Sequence, residues 1–430
     1  MQARMPPSLP AASVGDPYHS LAWTPYDPTE GRLDSDDPLG FAAAALRLAD
    51  RIMPGLTVRT ISLGYYPMVC AGFELVEANA GDLDDGKVRD YFLVWEKLWA
   101  LSRVCTGRGS GVLGVRGASR HRDGSFPQRL DRRFLLLQRQ AFLGALGSYG
   151  TSLESIGLKV RGAVRLTDGG RRLGALSWRS AAPKAFRPLR RTAWEGIHAR
   201  RDRLAERPRR GATHEVLARI GDVAVDEQRM LRRLLFEDGS ARAAAVRLTL
   251  PRLRGADLPD RTGLQVLAAV RSRSDEIARL RDDARLALAL EDLTRHANFA
   301  LERVVVAVAG RNFSTDVATV LRDDGSWPAM ERKIHAAAQR AADEFARDQG
   351  FAREHAEASV LAERKGSDLV LALVERHDAV MRDRSARRWL SVDGATITTH
   401  RLPQLVKQPD PIRHSYRFSA ALRLAREVGL

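Results

Sequence analysis

The sequence predicts a mainly α protein, built of helical bundles, with a small β-hairpin near its C-terminus. Long segments place apolar residues at helical spacing with charged residues between them, which is the pattern of amphipathic helices. The segment LSVDGATITTHRLP, residues 390–403, instead favours two short strands joined by a tight turn at Asp393 and Gly394. With 430 residues and 44% hydrophobic content the chain can bury substantial cores. A chain of this length typically forms about two to four structural units.

Composition divides the chain into five predicted regions. The first 38 residues contain seven prolines and no sustained periodicity, which is typical of a poorly ordered or draped arm. Pro208 and Gly211 interrupt a run of arginines and indicate a hinge. The predicted regions are a Pro-rich arm over 1–38, an N-terminal helical region over 39–120, a basic module over 121–200, a basic linker over 201–215 and a C-terminal helical region over 216–430.

Three helices are predicted in the N-terminal helical region. They are FAAAALRLADRIM (41–53), YYPMVCAGFELVEAN (65–79) and VRDYFLVWEKLWALSRVC (88–105). In the third helix, Val88, Phe92, Trp95, Trp99 and Leu101 lie close to one helical stripe, and we assign the aromatic residues of this stripe to the core rather than to a ligand site. Cys70 and Cys105 are too few for a disulfide framework or a multi-cysteine zinc site, so both are predicted to be buried, reduced thiols.

The run GRGSGVLGVRG, residues 107–117, contains Gly109, Gly111 and Gly114 at the spacing of a dinucleotide-binding turn. That turn needs a strand before its first glycine and a helix after its last, because the pyrophosphate sits on the helix N-terminus. Here a predicted helix precedes the glycines, a polar and basic stretch follows them, and the lysine of a P-loop is absent. We therefore predict a flexible basic loop between helices and expect no nucleotide or other cofactor.

The net charge of +16 is concentrated in one part of the chain. Arginine carries it, since only seven of the 69 basic residues are lysines. Residues 102–213 hold 25 basic and seven acidic residues, whereas the rest of the chain holds 44 basic and 46 acidic residues. A codon bias would spread arginine evenly, so this local excess favours an anionic partner such as nucleic acid. The alternative is a solvated arginine face set by genome composition.

The basic module contains a pattern that is typical of a helix start. Leu166, Thr167, Gly170 and Leu173 have the spacing L-T-x-x-G-x-x-L, in which Thr167 can cap the helix TDGGRRLGALSW. The preceding residues are predicted to form a turn at 147–150, a short helix and an extended segment. This arrangement resembles the end of bacterial winged-helix domains, which serve both as DNA readers and as protein-interaction platforms.

The candidate binding residues are basic side chains in or near this module. Such groups neutralise phosphates and supply most of the non-specific affinity for DNA, but phosphate contacts carry no sequence information. We predict contacts to the DNA backbone from Arg108, Arg116, Arg161, Arg165, Arg171, Arg172, Arg179, Lys184, Arg187, Arg190 and Arg191.

Two patterns leave a catalytic alternative open. Arg191 and His198 match the loose R-x(4–6)-H spacing of HEPN ribonucleases, although plentiful arginine favours a chance match. A metal or acid–base site can be assembled on paper from Glu375, Arg376, His377, Asp378, Asp393 and His414. These residues lack a standard ligand spacing, and both histidines of that set are predicted to be structural. The sequence therefore favours a non-catalytic role over a metal-dependent nuclease or HEPN-like RNase.

Segments at both ends and in the middle of the chain carry a further resemblance. They are DPLGFAAAALRLADRIMPGLTVRT, VWEKLWALSRV with GVLGVRG, LTDGGRRL and RHSYRFSAALRLAREVGL. On these segments the chain resembles bacterial proteins associated with mobile genomic islands and anti-phage gene clusters. The resemblance implies defence against foreign DNA and brings no active-site residues.

The sequence as a whole predicts a DNA-binding, non-catalytic subunit of an anti-phage defence complex that has protein partners. A structural adaptor that docks an acidic protein is a further alternative. No apolar run approaches the roughly 20 residues of a membrane helix, and no signal peptide is evident. We therefore expect a cytoplasmic location and no contact with a membrane.

Overall fold

The computed structural model describes residues 37–81, 83–121, 129–130, 134–137, 139–183, 186–199, 210–384, 386, 388–400 and 413–430. The Pro-rich arm up to residue 36, most of the basic linker and Lys184 lie outside the described residues. The described chain is mainly α, as predicted, with one small antiparallel sheet of three strands.

The three predicted N-terminal helices are confirmed. They are α1 (Ala42–Ile52), α2 (Tyr65–Ala80) and α3 (Asp85–Cys105). The aromatic stripe of α3 is buried in the core, as predicted. Cys70 is buried, and burial raises the pKa of its thiol. Cys105 is only half-buried, so the prediction of two buried thiols is wrong for this residue, which ends α3 next to a surface turn.

The basic module contains helices that differ in part from the prediction. They are α4 (Val115–Ala118), α5 (Gln140–Leu143), α6 (Ala145–Ser155), α7 (Asp168–Ala181), α8 (Phe186–His198) and α9 (Arg210–Arg219). The predicted turn at 147–150 is wrong, because α6 runs through it. Gly147 serves packing instead, since an added Cβ would lie 2.0 Å from the carbonyl oxygen of Phe142.

The predicted cap of α7 is confirmed, whereas the extended segment before it is short. Thr167 Oγ1 accepts a hydrogen bond from the N–H of Gly170 at 3.2 Å. Lys159 and Leu166 form an isolated antiparallel bridge rather than a strand pair. A wing needs paired strands, and this bridge is the only β pairing among the described residues of the basic module. Of the winged-helix pattern, the described residues thus contain the helix cap at Thr167 but not the paired strands of a wing.

The C-terminal helical region is organised around one long helix. Its helices are α10 (Val225–Phe236), α11 (Ala241–Leu253), α12 (Pro259–Ala269), α13 (Asp275–Ala309), α14 (Val317–Asp323), α15 (Trp327–Phe345), α16 (Ala352–Glu363), α17 (Gly366–Asp383) and α18 (Phe418–Glu427). At about 1.5 Å per residue, the 35 residues of α13 extend over roughly 50 Å. Helices α1, α12 and α15 pack along α13, so it connects the two ends of the chain.

The sheet contains the predicted hairpin and one strand that the sequence did not reveal. The hairpin strands are β2 (Leu390–Asp393) and β3 (Thr396–Thr399), and the third is β1 (Ser314–Asp316). The order is β1-β3-β2, with Ile397 of β3 between Thr315 and Val392. Three residues are too few to show strand alternation, which explains why β1 was missed.

The apolar core is continuous from Leu39 to Val428, so the predicted N-terminal and C-terminal helical regions share it. Polar contacts also join the ends of the chain. Arg384 donates to the carboxylate of Asp37 at 2.9 Å. The N–H of Leu63 donates to Glu427 at 2.6 Å.

Glu96 of α3 is a buried carboxyl that accepts from the first N–H of α6 and provides a test by pH. It accepts from the N–H of Ala145 at 2.6 Å and from the side chain of Gln140 at 2.9 Å, and Gly144 leaves room for it. Burial raises the pKa of Glu96 in the folded state despite these two donors. Protonation therefore stabilises the folded state below the unfolded pKa, and this contribution is lost as pH rises through the folded pKa.

Glu96→Gln removes this titration but keeps an acceptor for the N–H of Ala145. We expect the stability of the native protein relative to Glu96→Gln to be greatest near pH 4 and to decline towards pH 7. Urea unfolding of both proteins across this range measures the difference. A difference that is constant with pH, or that grows as pH rises, would contradict the assignment.

Candidate nucleic-acid interface

Helix α7 is held against α2 by one side, which leaves its other side in solvent. Trp178 is buried, and its indole N–H donates to a carbonyl of α2 at 3.0 Å. Gly174 lets the two backbones approach, because an added Cβ would lie 2.5 Å from the carbonyl oxygen of Cys70. Arg172 and Arg179 are not among the buried residues of α7, and both are exposed.

Four predicted contact residues have guanidinium groups that are free to bind a ligand. Arg172 and Arg179 make no side-chain hydrogen bond or ion pair within the described residues, and they are exposed. They are seven residues apart, so they lie on one face of α7 about 10 Å apart along its axis. Arg161, in the turn before α7, and Arg116, on α4, are also exposed and without such a partner in the described chain.

Five other predicted contact residues are ion-paired within the described part of the protein. The pairs are Arg165 with Asp85 (3.6 Å), Arg171 with Glu77 (3.0 Å) and Asp168 (2.9 Å), Arg190 with Glu74 (2.6 Å), Arg191 with Glu195 (3.2 Å), and Arg108 with Asp222. Several of these acids belong to α2 and α3, outside the basic segment. The charge excess over residues 102–213 therefore overstates the number of free cations at the surface.

A groove of about 510 Å³ lies between α2 and the first turns of α7. Glu74 and Glu77 of α2 line it together with Arg171 and Arg172 of α7. Burial raises the pKa of Glu74, whose Oε2 atom has no hydrogen-bond partner among the residues that the structure describes. Because Glu74 also binds Arg190 of α8 at 2.6 Å, α7 and α8 border the same part of the surface.

The solvent side of α8 carries two arginines followed by two rings. Arg187, Arg191, Trp194 and His198 follow each other at intervals of four, three and four residues, which places them on one stripe of the helix. The ring of Trp194 contacts Tyr91 of α3 at a centroid distance of 5.3 Å and His198 at 5.6 Å. The sequence prediction missed Tyr91, which lies far from α8 in the chain. The spacing within α8 was the signal that could have indicated the stripe.

The glycine run lies between two helices. Helix α3 ends at Cys105, and Gly111 and Gly114 adopt positive φ angles of 75°. No strand enters the run among the described residues around it, so the element that a dinucleotide turn requires is missing. The prediction of a loop after the last glycine is wrong for one turn, because α4 begins directly after Gly114.

Two of the three histidines considered for catalysis, His377 and His414, make structural hydrogen bonds. His377 is buried, with Nδ1 at 3.0 Å from the carbonyl oxygen of Pro38, and its Nε2 accepts from the N–H of Trp389 at 2.9 Å. His414 contacts the carboxylate of Glu291 at 2.6 Å. Among the described residues, no group of three or more His, Cys, Asp or Glu side chains is arranged to hold a metal ion.

Comparisons with known proteins do not assign the chain to a family. No family model, no curated protein and no solved structure matches it. In the part of the chain that the structure describes, every helix is too short or too polar to cross a bilayer.

Proposed function

We propose that this protein binds the phosphate backbone of a nucleic acid through the solvent side of α7 and the adjoining side of α8. The observation that carries the proposal is the pair Arg172 and Arg179, which are exposed, share one face of α7 and have no partner in the described chain. An arginine without a carboxylate presents its full charge and a planar fork of donors that matches phosphate oxygens.

The ion-paired arginines at the edge of this face add to the proposal. The side chains of Arg165, Arg171 and Arg191 remain about half exposed or more, at 53%, 49% and 83%. Exposed ion pairs contribute only about 0–1 kcal/mol, so a phosphate can replace the carboxylate at little cost. Arg190 differs, because both it and Glu74 are mostly buried, and we assign it to holding α8 on α2.

DNA is the expected nucleic acid, and a non-catalytic role in an anti-phage defence complex is the expected setting. Both rest on the charge distribution and on the sequence resemblance alone. We expect such a complex to act in the cytoplasm. Because α7 and α8 are assigned to the nucleic acid, we assign the C-terminal helical region to the contact with a protein partner.

Fluorescence anisotropy with a labelled DNA or RNA of defined sequence tests the proposal. For four phosphate contacts, we expect the affinity to fall roughly 100-fold between about 50 and 200 mM salt. Absence of binding at low salt, or binding that does not change with salt, would contradict it. Recovery of an acidic protein without nucleic acid from the native source would then favour the adaptor function.

An RNase is the second candidate, because Arg191 and His198 lie on the same exposed stripe of α8. The structure pairs Arg191 with Glu195 and packs the ring of His198 against Trp194. Incubation of labelled RNA and DNA with the protein, with and without divalent metal, separates the candidates. Cleavage that His198→Ala abolishes would favour the RNase, whereas intact nucleic acid with retained binding favours the non-catalytic function.

A further inference from the structure

A surface cluster of rings adjoins the arginines of α8. Tyr91, Trp194 and His198 contact each other at centroid distances of 5.3 to 6.0 Å. Tyr91 and Trp194 are half-buried against the core, and His198 is exposed. The core therefore fixes the two larger rings from below while part of the cluster stays open to solvent.

The position of the cluster on α8 places stacking groups beside phosphate-binding groups. Arg187 and Arg191 come first on the stripe, and Trp194 and His198 follow, so the stripe extends over about 16 Å of helix. Proteins that bind single strands combine cationic groups along the backbone with aromatic rings on which bases stack. A duplex already stacks its bases on each other, so their faces are closed to such rings.

We infer that the nucleic acid bound at this surface is single-stranded, with unpaired bases stacking on Trp194 and His198 while Arg191 and the free arginines of α7 contact its phosphates. This inference rests on the proposed function and specifies its substrate class. Tyr91 acts as a positioning residue, because it holds the indole of Trp194 at the surface.

The sharpest probe is a single strand that keeps its phosphates and lacks its bases. Anisotropy at constant salt compares a labelled single strand, its abasic analogue of equal length and the matching duplex. We expect the native protein to bind the base-bearing strand about 10-fold more tightly than the abasic strand. Equal affinities for these two strands would overturn the inference.

Variants connect this preference to the cluster. His198→Ala and Trp194→Leu are expected to lower the affinity for the base-bearing strand about 10-fold and to leave the abasic strand unaffected. Trp194→Phe keeps a ring and should retain most of the preference. Phe313→Ala, at another ring that is 44% exposed, is the matched control and should change nothing.

The outcomes separate the inference from the proposed function. If the arginine face binds nucleic acid but the cluster does not stack bases, salt-dependent binding persists, the base-bearing and abasic strands bind equally well, and His198→Ala has no effect. If the proposed function is wrong, none of the three probes binds in a salt-dependent way. Melting curves of each variant confirm that it is folded.

Discussion

Arg242→Ala is expected to lower the free energy of unfolding by about 3–5 kcal/mol, the largest effect on stability that we predict. Only 1% of Arg242 is exposed. Its guanidinium donates to the carbonyl oxygens of Leu235 (2.8 Å), Pro54 (2.8 Å) and Leu234 (3.1 Å) and to the carboxylate of Asp238 (2.9 Å). Removing the side chain takes the donor from the carbonyl oxygen of Leu235 in a buried hydrogen bond and from the carbonyl oxygens of Pro54 and Leu234 in partly buried ones.

The surroundings of Arg242 explain why the loss is large. Burial lowers the pKa of Arg242, and the negative charge of Asp238 opposes this shift. At Gly55 an added Cβ would lie 1.8 Å from the hydroxyl of Ser155 and 3.3 Å from Arg242, which means that the surrounding backbone is fitted closely to it. The surrounding residues therefore have little freedom to move into the volume that the Arg242 side chain leaves empty.

Urea unfolding followed by circular dichroism measures the effect. Arg247→Ala is the matched control, because Arg247 is exposed on the same helix and its removal should cost no more than about 0.5 kcal/mol. Arg242→Lys should recover less than half of the loss, since an ammonium group cannot reach all the acceptors. Equal stability of the Arg242→Ala and Arg247→Ala variants would contradict this prediction.

Arg172→Ala combined with Arg179→Ala is expected to weaken nucleic-acid binding on the order of 100-fold at about 50 mM salt. The two side chains are exposed and make no hydrogen bond or ion pair within the described residues, so their removal should leave the fold intact. With each phosphate contact that is lost, about one counterion fewer is released when the nucleic acid binds. Counterion release favours binding most strongly at low salt, so the loss of affinity is largest there.

Anisotropy at low salt measures this loss, and the chain contains a matched control. Arg271 and Arg273 are exposed in the link between α12 and α13, without a side-chain partner in the described residues. Arg271→Ala combined with Arg273→Ala removes the same charge outside the basic segment. Similar losses in both double variants would mean that net charge alone drives binding and that α7 is not the contact surface.

The sequence predicted well those features that depend on residues near each other in the chain. Helices α1 to α3, the cap at Thr167 and the turn at Gly394 follow from spacing and from the preferences of single residues. The turn predicted from Gly147 was wrong, because that glycine lies inside α6 and packs against the backbone of Phe142, where α5 meets α6.

Contacts between residues that are distant in the chain decide which arginines of the candidate interface are ion-paired. Arg190 meets Glu74 and Arg171 meets Glu77 across 116 and 94 positions. Neither residue type nor local spacing distinguishes these two arginines from Arg172 and Arg179. The contact of Tyr91 with Trp194 is equally non-local. A count of charges thus located the basic segment but did not identify which of its arginines are free.

The dependence of binding on salt tests the central claim most directly, because it counts phosphate contacts independently of overall affinity. The measurement is the slope of log K against log salt for the native protein and for the Arg172→Ala, Arg179→Ala double variant. If both arginines contact phosphates, the slope of the double variant is smaller in magnitude by about 1.4 on a single strand and by about 1.8 on a duplex. Identical slopes for the two proteins would contradict the account.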